Sequence, residues 1–214
     1  MLLQLLFSDP MLFAAVLLAI IVALTVHEYS HAVTAYVLGD PTAERMGRLS
    51  LNPLTHLDPV GFIMMLIVGF GYAKPVPYNP HNLRNLRRDP VLVGLAGPFS
   101  NLLLATIGAY AALFFERTLG NSNLLVQFLV FLAYINVNLA VFNLLPIPPL
   151  DGSSVLLAWL HGPKWAHARA VLVQQGPMIL IAAIIIDSVS GLGFFSRIFT
   201  FFGNAFFALI GISL

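Results

Sequence analysis

Long apolar runs separated by short polar stretches set the first reading of this chain. Residues 11–38 form a run with no charge before Glu28, long enough to cross a bilayer at about 20 residues per span. Gly39-Asp40-Pro41 ends it, glycine for the C-terminal turn and proline shortly after. Residues 91–115 and 124–145 are two further runs of spanning length. The first carries Gly94, Gly97, Asn101, Ala105, Gly108 and Ala112 at spacings of three and four, a small-residue stripe that admits a close neighbouring helix. Asn101 is the strongly polar group on it, suited to an interhelical hydrogen bond or to substrate contact. The second carries Ala133, Asn136, Ala140 and Asn143 on one face. That face turns inward, because an amide facing lipid goes unsatisfied. Pro146-Ile147-Pro148-Pro149 breaks the run. Apolar segments at 170–186 and 194–214 complete the pattern.

The 42–90 stretch has a different texture. Residues 47–53 and 61–72 are short runs bounded by Gly and Pro, which predict extended backbone. The second is too short and too glycine-rich to span, and reads as a re-entrant or membrane-surface segment. A sheet edge there would hold an unfolded peptide by strand addition. Residues 73–80, with Pro75, Pro77 and Pro80, predict an extended connector. Residues 1–10 read as an interfacial segment, and with no basic stretch before it the 11–38 run reads as a retained helix rather than a cleaved signal peptide. The expected fold is an all-α polytopic membrane protein of about five transmembrane helices, with a short re-entrant or β-like segment after the first. Residues 1–214 form one integral-membrane domain.

Composition strengthens this picture. The chain is 59% hydrophobic and 9% charged, with a mean hydropathy of +0.90, far below the roughly 25% charge of soluble domains. A net charge of +1 gives no sign of a nucleic-acid partner, and the bilayer is the expected surroundings. Cysteine is absent, which excludes disulfides and thiolate metal sites.

Against that background His27-Glu28-Tyr29-Ser30-His31 stands out. On a helix the spacing puts His27 and His31 one turn apart on one face, where both reach a single zinc ion. Glu28 lies about 100° round, placed to hold a water on the metal without being a ligand. Charged and imidazole groups at membrane depth are costly unless paired or metal-bound. Two histidines leave a third ligand to find. Asp151, just beyond the helix break at 146–149, is the best candidate carboxylate, though an aspartate there also suits a helix N-cap. His161 and His167 sit in a loop with Lys164 and Arg169 and read as solvated.

Charge also orients the chain. Arg45, Arg48, Lys74, Arg84, Arg87, Arg88, Lys164 and Arg169 fall at one end of the bundle; Arg117 and Arg197 fall at the other. The positive-inside rule makes the first end cytoplasmic. The histidines and Asp151 then meet towards the cytoplasmic side of a multi-pass cell-membrane protein.

Five separated stretches resemble the site-2 proteases, compact bacterial and archaeal intramembrane zinc metalloproteases. They are the His27–His31 box with Ala32; Gly47-Arg48-Leu49-Ser50-Leu51-Asn52-Pro53 with His56 and Asp58-Pro59; Ala73-Lys74-Pro75-Val76-Pro77; Ala96-Gly97-Pro98 with Asn101; and Asn143 through Gly152. The resemblance implies a three-helix catalytic core within about 11–160; the transmembrane segments expected at about 170–214 match only in being apolar. It implies one Zn2+ per chain on His27, His31 and Asp151, Glu28 as the catalytic carboxylate, and Asn143 on the scissile peptide or its oxyanion. The implied activity is endopeptidase cleavage in or near transmembrane segments of other proteins, in regulated intramembrane proteolysis.

Two other classes use the same residues. A metal-ion transporter or metal-binding membrane protein has no obvious need for Glu28, and no polar path continues through the far half of the bundle. A non-proteolytic binder of membrane clients needs none of the four groups His27, Glu28, His31 and Asp151 together. Neither the substrate nor the oligomeric state is legible.

Overall fold

The computed structural model describes residues 2–68 and 71–212. A short helix, α1 (Leu2–Ser8), leads to Asp9, whose carboxylate accepts from the Leu12 N–H at 3.0 Å and caps α2 (Pro10–Val37). Along α2 the fully buried side chains are small: Ala19, Ala23, Ala32 and Ala35. The helix stops where Gly39 takes φ of 110°, a conformation that favours glycine.

Asp40 then fixes the chain that follows. It is buried, and its carboxylate accepts from the Thr42 N–H (3.1 Å) and hydroxyl (2.5 Å), the Asn79 N–H (2.6 Å) and the Asn82 amide (2.8 Å). The end of α2 is thereby tied to the 79–82 loop. Burial raises the Asp40 carboxyl, but the donors from Thr42, Asn82 and Asn79 outweigh it, so its pKa lies below the usual value. A depressed pKa means stability present above the unfolded value of about 3.9 and lost as pH falls through the folded value. Asp40→Ala removes a buried carboxylate that accepts four hydrogen bonds, and is expected to lower stability by about 1–3 kcal/mol. Hydrogen exchange at Asn79 and denaturant unfolding in micelles check it.

Between α2 and the second long helix lie α3 (Thr42–Arg45) and α4 (Pro59–Val68). Asp58 Oδ1 accepts from the Val60 and Gly61 N–H groups, both at 2.9 Å, and starts α4. The extended backbone expected over 61–72 is therefore a correction: residues 59–68 are helical, and Gly69 and Phe70 lie outside the described residues. The glycines suggested a strand, but Asp58 supplies a cap and the residues after it can wind. Among the described residues no strand forms. β-like pairing is limited to one bridge, Leu57 with Ala73, supported by the Lys74 N–H donating to the His56 carbonyl at 2.8 Å.

α5 (Asp89–Leu119) and α6 (Leu124–Asn143) pack on α2 and on each other more extensively than any other pair of elements, giving the expected three-helix core. The small-residue stripe works as predicted at Gly108, where an added Cβ would stand 3.2 Å from the Leu129 carbonyl oxygen of α6. Past α6 the chain doubles back tightly. The Gly152 N–H donates to the Asn143 carbonyl at 2.7 Å, and a Cβ on Gly152 would lie 2.2 Å from the Leu144 oxygen. α7 (Ser153–Trp159) follows, then α8 (Ala166–Ser190) and α9 (Phe194–Leu209). α8 stands largely outside the bundle, with Val173, Met178, Ile181, Ile185 and Val189 exposed. An apolar surface of that kind belongs against lipid.

Among the described residues, four helices are long and apolar enough to cross a membrane: 10–37, 89–119, 124–143 and 163–190. The fifth expected span, α9, is apolar but only 16 residues long.

Candidate metal centre

The three-helix core brings His27, His31 and Asp151 together. Each offers one ligand atom, and those atoms lie within 4.8 Å of one another. His27 Nε2 is 3.1 Å and His31 Nε2 3.4 Å from Asp151 Oδ2, and the two Nε2 atoms are 3.1 Å apart. Both imidazoles are buried. Asp151 is not a cap: α7 starts after Gly152 with no side-chain cap bond. Its carboxylate points at the histidines instead.

Hydrogen bonding assigns the protons. The Val93 carbonyl can only accept, so His31 Nδ1, 2.6 Å away, donates to it. For His27 the direction comes from the far end of a chain of amides. The Leu132 carbonyl accepts from Asn136 Nδ2 at 2.7 Å. Asn136 Oδ1 then accepts from Asn101 Nδ2 at 2.6 Å, leaving Asn101 Oδ1 to accept from His27 Nδ1 at 2.5 Å. Both Nε2 atoms of the neutral rings thus present lone pairs to the centre. Asp151 Oδ2 is buried with no hydrogen-bond partner.

Three acceptors facing one another repel unless a cation lies among them. Ligands at about 2.0–2.1 Å round a tetrahedral zinc sit about 3.3–3.4 Å apart. The observed separations of 3.1, 3.1 and 3.4 Å fit that spacing, and the two-nitrogen, one-oxygen donor set fits zinc.

Glu28 is buried beside the centre, with Oε2 accepting from the Val76 N–H at 3.2 Å. The 74–76 backbone is held in turn by Arg48, whose guanidinium donates to the Lys74 carbonyl and to the Pro75 carbonyl. Burial lowers the Arg48 pKa, and the Glu28 charge opposes the change. Asn143 stands apart: Nδ2 donates to the Leu139 carbonyl at 3.0 Å, while its backbone oxygen holds Gly152 and so steadies Asp151.

Two neighbours of the centre carry roles that spacing alone did not reveal. Asn101, fully buried, takes the hydrogen-bond alternative and orients His27. Gly97 faces the imidazoles so closely that a Cβ would stand 2.4 Å from His31 Nε2 and 2.7 Å from His27 Nε2. Its place in the small-residue stripe was the available signal, and it pointed to helix packing instead. Asn101→Ala is expected to weaken zinc affinity about 10- to 100-fold, the usual cost of losing a partner that orients a ligand. Competition with a chelator of known affinity measures it.

A family model described as peptidase family M50 matches residues 117–184, which include Asn143 and Asp151. YwhC of Bacillus subtilis (strain 168), by its name a candidate zinc metalloprotease, is 44% identical over 144 residues, 65% of this chain and 66% of its own. Rip2 of Mycolicibacterium smegmatis, similarly named, is 32% identical over 197 residues, 89% of this chain and 73% of its own. MJ0611 of Methanocaldococcus jannaschii, also so named, is 34% identical over 97 residues, 45% of this chain and 49% of its own. No solved structure matches the chain.

Proposed function

The chain belongs to peptidase family M50, the site-2 protease family of zinc metalloproteases, and from that membership we propose that it cuts other membrane proteins in or near their transmembrane segments. The centre would work on the cytoplasmic side of the cell membrane, within regulated proteolysis. One observation carries the reading: His27, His31 and Asp151 converge as three acceptors, with a buried carboxylate, Glu28, that is not one of them.

His27, His31 and Asp151 are the residues that would hold zinc. When bound, zinc supplies a Lewis acid that lowers the pKa of water and polarises a carbonyl. Glu28 accepts the proton of the attacking water and later delivers it to the leaving nitrogen. The Val76 N–H holds Glu28 in place for both transfers. Asn143 uses one amide hydrogen on Leu139 and keeps the second for the oxygen that gains charge. A substrate segment would have to reach the centre unwound. Unwinding is needed because a helix hides its carbonyls in its own hydrogen bonds.

The test compares membrane fragments from native cells carrying either the parent chain or Glu28→Ala, by mass spectrometry of new termini. Fragments ending inside transmembrane segments only with the parent would name substrates. Equal fragment sets under several stresses, with both proteins equally abundant, would remove the reading.

A further inference from the structure

The basic end of the bundle holds a cleft of about 460 Å³ between the start of α5 and the end of α7. Val91 and Leu92 of α5 and Trp159 of α7 give it apolar walls, and the indole is 73% exposed. Arg87 and Arg88 give it a cationic rim. Both are exposed, and among the described residues neither guanidinium forms an ion pair. Their backbone is fixed, because Asn85 Oδ1 accepts from both N–H groups at 3.0 Å. The adjoining acid, Asp89, is buried, with Oδ2 already accepting from the Asn85 N–H at 2.8 Å.

Two unpaired guanidiniums over an apolar trough, where a spanning helix begins, match one ligand chemistry. Guanidinium forks suit phosphate oxygens. An exposed indole suits the headgroup level of a bilayer. The apolar walls suit glycerol and the first methylenes of acyl chains, which a soluble phosphate lacks. The geometry points to a seat for the headgroup of an anionic phospholipid between α5 and α7. The seat joins the two elements that flank the metal centre. α5 carries Gly97 and Asn101, and α7 follows Asp151 directly. Gly94 of α5 backs onto Ser154 of α7 so closely that a Cβ would meet its Oγ at 2.5 Å. A lipid in the seat clamps this contact from outside. The inference needs only that the chain lies in a membrane, and it stands apart from peptide hydrolysis.

Trp159 and Trp165 are the two tryptophans, so Trp165→Phe leaves Trp159 as the sole reporter. The whole chain in neutral detergent micelles is titrated with phosphatidylglycerol or phosphatidylcholine brominated on the acyl chains, and indole quenching is followed. Phosphatidylglycerol is expected to quench at a markedly lower mole fraction. Arg87→Gln with Arg88→Gln should raise its midpoint about thirtyfold, roughly fivefold per basic residue, and leave the phosphatidylcholine curve in place. Zinc content and unfolding temperature check that the double variant is folded; if it is not, Arg87→Gln alone carries the test, with about a fivefold rise. Equal quenching by the two lipids, or selectivity that survives substitution in a folded protein, would overturn the seat. Displacement of phosphatidylglycerol by millimolar inorganic phosphate would also overturn it, by making a soluble phosphate the occupant.

Discussion

Glu28→Gln is expected to bind as much zinc as the parent chain and to lose about a thousandfold or more in cleavage. The amide is nearly isosteric with the carboxylate. Its oxygen can still accept from the Val76 N–H, so the 74–76 backbone keeps its place. The three ligand atoms on His27, His31 and Asp151 are untouched. What disappears is the group that takes a proton at neutral pH. Zinc content by elemental mass spectrometry, measured alongside cleavage of a membrane-spanning reporter in liposomes, separates the two effects. Cleavage that persists would strip Glu28 of the role of base. Lost zinc would make it a ligand, at odds with the three-atom cluster.

Gly97→Val is expected to strip zinc altogether, with an affinity loss beyond about a hundredfold. Even the first added carbon would stand 2.4 Å from His31 Nε2, inside any tolerable contact. Neither ring can swing aside cheaply, because Asn101 and the Val93 carbonyl hold their Nδ1 atoms. The informative control is Gly108→Ala. A Cβ there meets a backbone oxygen of α6 at 3.2 Å and no histidine. That variant should lose stability through overpacking, about 1–3 kcal/mol, and keep its zinc. If both variants lost zinc in equal measure, Gly97 would be a packing residue and nothing more.

These two glycines show how far the sequence carries. Both sit on the same small-residue stripe of α5 at the same kind of spacing, and periodicity treats them alike. Only the rotation of α5 against α2 decides that Gly97 meets imidazole and Gly108 meets the backbone of α6. His27, Glu28 and His31 were legible because their relation is local, one turn of one helix. Asp151 was legible as the best-placed carboxylate for two histidines short of a ligand, but its position just past the proline break suited a helix N-cap as well. Asn101 was visible as a polar group but not as the partner of His27, since that contact spans 74 residues of sequence. Arg48 was likewise visible only as a charge. Its hold on the 74–75 carbonyls depends on a loop path that no pattern encodes. The 59–68 helix was misread because glycine spacing outweighed an aspartate cap whose carboxylate had to be seen in place.

The split of the centre between α2 and the turn before α7 has a consequence in time. His31 and Asp151 are separated by 120 positions along the chain. At about 5–20 residues per second, a ribosome needs roughly 6–24 s to make that stretch. Throughout it the first helix sits in the membrane with its two histidines and without Asp151. On the proposed reading, a nascent chain lacks its third ligand while its neighbours at the insertion machinery are themselves unfolded helices, the kind of polypeptide it would cut. Competence would then arrive only when α6 has crossed and the turn behind it has closed.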